Sequence, residues 1–253
     1  RAMAYFDSAG VRIHFEEAGQ GDPVVLVHGF ASNAQHNWGD PGWIRYLADR
    51  YRVITLDCRG HGLSDKPHDS VAYGVDAMAG DVVRLLDHLG IRRTLLMGYS
   101  MGGRICAQLL MSHSERLRAV VLGGIGDGGS MGDTSRRKAI VDALLADEKN
   151  SVKSEQGRLF RDFAELNRND LKALAACMDA ARPHVDLGFL AKLRTPVLMV
   201  IGSDDTLVGS AANLAKFIPG SRVVKLDGRD HLTAVGDKRY KEAVREFFAV
   251  APA

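Results

Sequence analysis

Short apolar runs recur along the chain at the length of buried strands. Tyr51–Leu56 and Val197–Ile201 are nearly continuous apolar runs, a pattern typical of strands that are buried on both faces. Tyr5–Asp7 and Val11–Glu16 alternate between apolar and polar residues around a turn, and they predict an N-terminal hairpin. The other predicted strands are Pro23–Val27, Leu95–Met97, Ala119–Gly123 and Arg222–Leu226. The pattern therefore predicts a sheet of about eight strands.

Helical patterns lie between these runs. In Val75–Leu89 the apolar residues recur at steps of three and four, which places them on one face of a helix. Gly102–Ser112 and Lys238–Val250 have the same spacing. Because strands alternate with helices, we expect an α/β fold: a mostly parallel twisted sheet with helices on both faces.

The stretch from residue 127 to residue 195 departs from this alternation. It contains helical patterns and no convincing strand, and one of its helices carries Leu171, Leu174, Ala175 and Met178 on a single face. We therefore predict a core formed by residues 1–126 and 196–253, with residues 127–195 inserted into it as a helical cap, or lid.

Charge and composition narrow the possible functions. The chain has 253 residues, with 33 Lys and Arg against 31 Asp and Glu, so no nucleic-acid partner is expected. The apolar runs are too short for a membrane span, so no membrane partner is expected either. Three cysteines without C-x-x-C spacing favour a reducing compartment, and residues 1–4 lack the apolar stretch of a secretory signal. We expect a cytoplasmic protein, either a monomer or a homodimer.

The segment from Gly98 to Gly103 carries the clearest chemical signal. It reads G-Y-S-M-G-G, follows a predicted strand and precedes a predicted helix, which is the context of the G-x-S-x-G nucleophile elbow. A capping serine in a glycine-rich turn is the structural alternative. In the elbow, Ser100 would lie on a strained turn at the end of the strand, and the amide of Met101 would contribute to an oxyanion hole.

Candidate partners for this serine follow two later strands. Asp204 and Asp205 come directly after Val197–Ile201, and His231 comes after Arg222–Leu226. A serine, an acid and a histidine in this chain order are what the elbow predicts, with the histidine as base and the carboxylate orienting it. Spacing alone does not separate Asp204 from Asp205.

Together with His28-Gly29-Phe30 and the turn Asp57–Gly62, these motifs resemble the α/β-hydrolase superfamily along nearly the whole chain. The resemblance implies G-x-x-D at the acid position, which favours Asp205. It also implies that the amide of Phe30 is the second donor of the oxyanion hole. It implies that His28 lies beneath the site, bonded to the backbone.

Further residues near the motifs are candidates for supporting roles. The turn residues Asp57, Arg59 and His61 are expected to be structural. Histidine spacing matches no metal motif, so we expect neither a metal nor a cofactor. An apolar substrate pocket is expected, and its candidate wall residues are Phe30, Trp38, Met101, Leu207, Val208 and Leu232.

These residues predict a serine hydrolase that forms an acyl-enzyme on Ser100, with small to medium carboxylic esters, lactones or thioesters as substrates. Dehalogenases and epoxide hydrolases of the superfamily use Asp as nucleophile, unlike this chain. The C–C bond hydrolases of the superfamily commonly carry Trp directly after the catalytic histidine, whereas this chain has Leu232. The resemblance therefore disfavours C–C bond hydrolysis but leaves it open as an alternative. The same triad is also compatible with a cofactor-free perhydrolase and with a small-ligand receptor that turns over slowly.

Overall fold

The computed structural model describes residues 4–128, 133–180 and 187–252, and its centre is one sheet of eight strands. The strands are β1 (Ala4–Ser8), β2 (Val11–Ala18), β3 (Asp22–Val27), β4 (Tyr51–Leu56), β5 (Thr94–Tyr99), β6 (Leu117–Gly123), β7 (Val197–Gly202) and β8 (Arg222–Leu226). They lie in the order β1-β2-β4-β3-β5-β6-β7-β8. Only β1 with β2 and β2 with β4 pair antiparallel, which confirms the predicted, mostly parallel sheet.

Helices cover both faces of this sheet. They are α1 (Trp43–Leu47), α2 (Val75–His88), α3 (Met101–Ser112), α4 (Thr134–Leu145), α5 (Glu155–Leu166), α6 (Leu171–Asp179), α7 (Leu187–Leu190), α8 (Ala211–Ala215) and α9 (Lys238–Ala249). α2, α3 and α8 pack on one face, while α1 and α9 pack on the other. The predicted α2, α3 and α9 form within one residue of their expected ends. α1 and α8 have five residues each, too few for a helical period to show in the sequence.

Strand β3 shows why the central runs are continuously apolar. Val25 and Val27 belong to the core beneath α2 and α3, whereas Val24 and Leu26 belong to the core beneath α1 and α9. Successive side chains of a strand point to opposite faces, so a strand covered on both sides has no polar position.

Between β6 and β7, the described residues form α4 to α7 and no strand. This helical segment has a small core of its own, in which Ile140, Leu144 and Leu174 pack together. The buried guanidinium of Arg161 donates from Nη1 to the carbonyls of Ala143 (2.8 Å) and Ala146 (2.9 Å), and so satisfies the C-terminal end of α4. Residues 129–132 and 181–186 of the predicted insertion lie outside the described residues.

Two asparagines join the helical segment to the loop after β3. The side-chain amides of Asn167 and Asn169 donate to the carbonyl of Ala31, at 3.2 and 2.8 Å. The segment therefore lies over the carboxyl end of the central strand. None of the helices in the described part of the chain combines the length and the apolar character needed to cross a bilayer.

Candidate active site

Ser100 occupies a strained turn between β5 and α3. Its φ of +54° and ψ of −112° place the backbone in a conformation that side-chain-bearing residues rarely adopt, and its amide donates to the carbonyl of Gly123 at 2.8 Å. Gly102 allows α3 to begin directly behind the serine. A Cβ atom there would lie 2.0 Å from the carbonyl oxygen of Val27. The glycine of the motif is thus required by the close approach of α3 to β3.

A continuous chain of hydrogen bonds runs from Ser100 through His231 to Asp205. The distance from Ser100 Oγ to His231 Nε2 is 2.9 Å, and the distance from His231 Nδ1 to Asp205 Oδ2 is 2.6 Å. The Asp205 side chain is fully buried and its Oδ1 also accepts the amide of Leu207 at 3.0 Å. Because an ionised Asp205 requires a donor at Nδ1, the neutral ring leaves Nε2 free to accept the serine proton.

The neighbouring Asp204 does not take part in this chain of hydrogen bonds. Its exposed carboxylate accepts the hydroxyl of Ser203 at 2.7 Å, while Asp205 turns inward towards His231. The pair that spacing left unresolved is therefore separated by the direction of the two side chains.

Hydrogen bonds and close backbone packing fix the loop that follows β8 and carries His231. Tyr99 Oη donates to the carbonyl of His231 at 2.6 Å, and Asp230 accepts the amides of Leu232 and Thr233. At Gly202, the end of β7, a Cβ atom would lie 2.1 Å from the carbonyl oxygen of Arg229. The close contact between the loops after β7 and β8 brings Asp205 to His231.

The loop after β3 lies beside Ser100 and is fixed by His28. The amide of Cys58 donates to His28 Nε2 at 2.9 Å, so the neutral ring carries its proton on Nδ1 and donates it to the carbonyl of Gly29 at 2.7 Å. Burial lowers the pKa of His28, which keeps the ring neutral. His28 thus lies beneath the site, as the resemblance implies.

Two backbone amides next to Ser100 have no acceptor among the described residues. The first is the amide of Phe30. The preceding amide, that of Gly29, donates to Asn37 Oδ1 at 2.9 Å. Met101 is the first residue of α3, where amides lack an acceptor within the helix. These are the two amides named as oxyanion donors from the sequence.

The turn Asp57–Gly62 has the structural character expected of it. Burial acts to raise the pKa of Asp57, but hydrogen bonds from His14 and from the amides of Ala34 and Leu63 outweigh it and bring the pKa to about 2. Arg59 pairs with the buried Asp81 through two bonds of 2.6 and 2.8 Å. Burial lowers the pKa of His61 to about 3.

Comparison with known proteins identifies the fold family. The family model described as alpha/beta hydrolase fold matches residues 22–171, more than half of the chain. The chain belongs to the α/β hydrolase fold family. The non-heme chloroperoxidase CPO-A1 of Kitasatospora aureofaciens is 30% identical to this α/β hydrolase over 94% of the chain and 96% of the relative. A putative 2-succinyl-6-hydroxy-2,4-cyclohexadiene-1-carboxylate synthase of Bacillus subtilis is 26% identical over 95% and 96%.

The chain is also similar in fold to a solved esterase structure. The esterase RhEst1 from Rhodococcus sp. ECU1013 is 27% identical to the chain, covers 100% of both chains and superposes with a TM-score of 0.76. Membership of this family supports a hydrolase.

A cavity of about 670 Å³ opens at the Ser100–His231 pair of this α/β hydrolase. Five of the wall residues named from the sequence line it: Phe30, Met101, Leu207, Val208 and Leu232. Sequence reasoning missed many others, among them Met78, Ile105, Phe160, Phe163, Cys177 and Met178. For Met78 and Met178 the helical periodicity predicted an apolar helix face, but such a pattern does not say whether that face packs in the core or lines a cavity.

Trp38 corrects the expected pocket wall. The structure places it in the core on the opposite side of the sheet, fully buried, with its ring centroid 6.1 Å from that of Trp43 in an edge-to-face arrangement. It is not among the described residues that line the cavity. Trp38 lies in a short π-helix at Gln35–Gly39, closed by the bond from the Asp40 amide to the Gln35 carbonyl at 2.8 Å, and its side chain packs towards α1 and α9.

Proposed function

We propose that this protein is a serine hydrolase that cleaves small to medium carboxylic esters through an acyl-enzyme on Ser100. The same chemistry extends to lactones and thioesters. The observation that carries the proposal is the hydrogen-bonded chain from Ser100 to His231 to Asp205, attached to a backbone strained at the serine. Such strain persists only where the surrounding structure enforces it, and here Ser100 lines the cavity into which a substrate would bind.

In the acylation step, His231 Nε2 accepts the hydroxyl proton as Ser100 Oγ attacks the ester carbonyl carbon. The carbonyl π electrons move to the oxygen, and the amides of Phe30 and Met101 donate to the resulting oxyanion. Collapse of the tetrahedral intermediate breaks the bond to the alcohol oxygen, which takes the proton from His231. Asp205 accepts the Nδ1 proton throughout and stabilises the transient imidazolium.

Deacylation repeats these steps with water. His231 removes a proton from water, the oxygen attacks the acyl carbon, and the bond to Ser100 Oγ breaks as the serine regains its proton. The products are a carboxylic acid and the free enzyme.

We propose that the helical segment between β6 and β7 acts as a cap over this site. Phe160 and Phe163 of α5 and Cys177 and Met178 of α6 line the cavity, which supports a role in enclosing the acyl group. Removing water from the site strengthens the electrostatic interactions inside it. The apolar lining and the cavity volume of about 670 Å³ fit a small or medium acyl chain.

The test is a panel of 4-nitrophenyl esters, lactones and thioesters of graded acyl length, assayed with wild type and Ser100→Ala. Wild type is expected to turn over repeatedly, and Ser100→Ala to lose at least about 10³-fold in kcat. Ser112→Ala is the matched control, since Ser112 lies at the far end of α3, where its hydroxyl contacts the carbonyl of Gln108 and the ring of His113.

A fluorophosphonate probe locates the nucleophile independently, because peptide mass spectrometry is expected to find the adduct on Ser100. Labelling of another serine, or undiminished turnover in Ser100→Ala, would contradict the proposal. Release that stops at one equivalent would instead indicate a slow-turnover receptor.

The relation to a non-heme chloroperoxidase favours perhydrolysis as a second candidate function. Hydrogen peroxide would replace water in deacylation, so its oxygen attacks the acyl carbon and the product is a peracid. Bromide oxidation that requires peroxide, a carboxylic acid and an intact Ser100 would support this activity.

A further inference from the structure

An arginine lines the cavity one helical turn beyond Ser100. Arg104 lies in the first turn of α3, and its amide donates to the carbonyl of Ser100 at 3.1 Å. Four residues along a helix correspond to about 6 Å, so the guanidinium is within reach of a substrate whose carbonyl lies on the serine.

This guanidinium is half-buried without a counterion. Among the described residues, Arg104 has no ion pair and its side chain has no hydrogen-bond partner. Burial lowers the pKa of Arg104, and so does the positive charge of Arg137 on α4. Arg137 Nε is itself buried and has no hydrogen-bond partner in the part of the chain that the structure describes.

Two other buried arginines of the protein are fully engaged. Arg59 forms an ion pair with Asp81. Arg161 forms an ion pair with Glu165 at 2.6 Å and donates hydrogen bonds to carbonyls of α4. The carboxylate of Asp127, which also lines the cavity, is occupied by the side-chain amide of Asn213 and the amide of Ser210, at 2.9 Å each. Buried charges are normally paired, so two adjacent unpaired guanidiniums call for an anion supplied from outside the chain.

We propose that Arg104, assisted by Arg137, binds a carboxylate carried on the acyl chain of the substrate, so that the preferred esters are half-esters of dicarboxylic acids. The inference rests on the proposed function and names its substrate class. A guanidinium presents paired donors that match a carboxylate, and the apolar surroundings strengthen the interaction. An acyl chain with three methylene groups between the ester carbonyl and the carboxylate spans about the rise of one helical turn, and it is therefore the length chosen for the test.

The experiment compares kcat/KM for mono-(4-nitrophenyl) glutarate and for the uncharged 4-nitrophenyl pentanoate. Wild type is expected to prefer the glutarate ester. In Arg104→Met, which keeps most of the apolar stem, the ratio of the two values is expected to fall by about tenfold or more, chiefly through KM. Arg104→Lys is expected to retain part of the preference, because it keeps the charge without the paired donors.

Arg136→Met is the matched control. Arg136 precedes Arg137 on α4, its side chain is exposed, and it lies 3.8 Å from Asp133 at the surface. The ratio is expected to stay at the wild-type value in this variant. An unchanged ratio in Arg104→Met, or an equal fall in Arg136→Met, would overturn the inference.

Binding to an inactive enzyme separates this inference from the proposed function. Calorimetric titration of glutarate into Ser100→Ala is expected to show binding that weakens about tenfold or more when Arg104→Met is added. If the neutral ester is hydrolysed through Ser100 but glutarate does not bind, the carboxylate site is refuted and the hydrolase stands. If glutarate binds through Arg104 but neither ester is hydrolysed, the anion site stands and the ester hydrolase is refuted.

Discussion

Replacing Asp205 with asparagine tests the proposed proton relay most sharply. Oδ1 of Asp205 accepts the amide of Leu207 at 3.0 Å, whereas Oδ2 lies 2.6 Å from His231 Nδ1. In Asp205→Asn the amide of Leu207 still needs an acceptor, so the remaining side-chain oxygen is expected to keep that hydrogen bond. The new NH₂ group then faces His231 Nδ1. Two donors then oppose each other unless the ring moves its proton to Nε2, and that tautomer is unable to accept the proton of Ser100.

The expected loss follows from this wrong tautomer. We expect kcat to fall by about 10³–10⁴-fold, equivalent to about 4–5.5 kcal/mol of transition-state stabilisation. The measurement is steady-state hydrolysis of 4-nitrophenyl butyrate at pH 7.5, with circular dichroism and thermal unfolding to show that the variant is folded.

Asp204→Asn is the matched control for this experiment. Asp204 is exposed and accepts the hydroxyl of Ser203, away from the triad, so kcat is expected to change by less than about threefold. Equal losses in the two variants would refute the assignment of the acid. So would an Asp205→Asn enzyme that keeps more than about a tenth of the wild-type rate.

Three further predictions concern the stability of the fold around the site. Ser100→Gly is expected to be more stable than Ser100→Ala by about 1 kcal/mol, because glycine adopts the observed φ of +54° without strain; a lower melting temperature for the glycine variant would contradict this. Gly102→Ala is expected to lose about 3 kcal/mol or more in urea unfolding, since its Cβ would meet the Val27 carbonyl at 2.0 Å. Gly236→Ala, whose Cβ would only contact Pro41 at 3.9 Å, serves as the matched control and is expected to change stability little. The pKa of His61 is lowered to about 3, so as the pH falls below about 6.5 the unfolded chain takes up a proton at this residue before the folded protein does. The free energy of unfolding is therefore expected to be about 2 kcal/mol lower at pH 5 than at neutral pH because of His61, and His61→Gln is expected to lose less between the two pH values. If the free energy of unfolding falls equally with pH in both proteins, the assignment is refuted.

Local patterns of the sequence predicted the framework of the protein. Strands such as β4 and β8 form with the expected ends, because an apolar run bounded by polar residues is a local signal. β5 is longer than the predicted Leu95–Met97, because Thr94 at one end and Gly98 and Tyr99 at the other also pair with β6. Ser100, the paired aspartates and His231 were found because each follows a recognisable strand, and the carboxyl ends of parallel strands meet at one edge of a sheet.

Contacts between elements that are distant in the chain decided which of the candidate residues belong to the site. The inward turn of Asp205, but not of Asp204, depends on how the loops after β7 and β8 pack together. Trp38 was expected in the pocket wall, but it lies in a short π-helix and packs in the core beneath α1 and α9. That Arg104 lies in a cavity beside Arg137 depends on where α4 rests on the core, and hydrophobic periodicity carries no information about such packing. The sequence thus determined which strands and long helices form and which strand ends carry the triad residues, because these are local patterns. Only the packing of distant elements decided which side chains make contact.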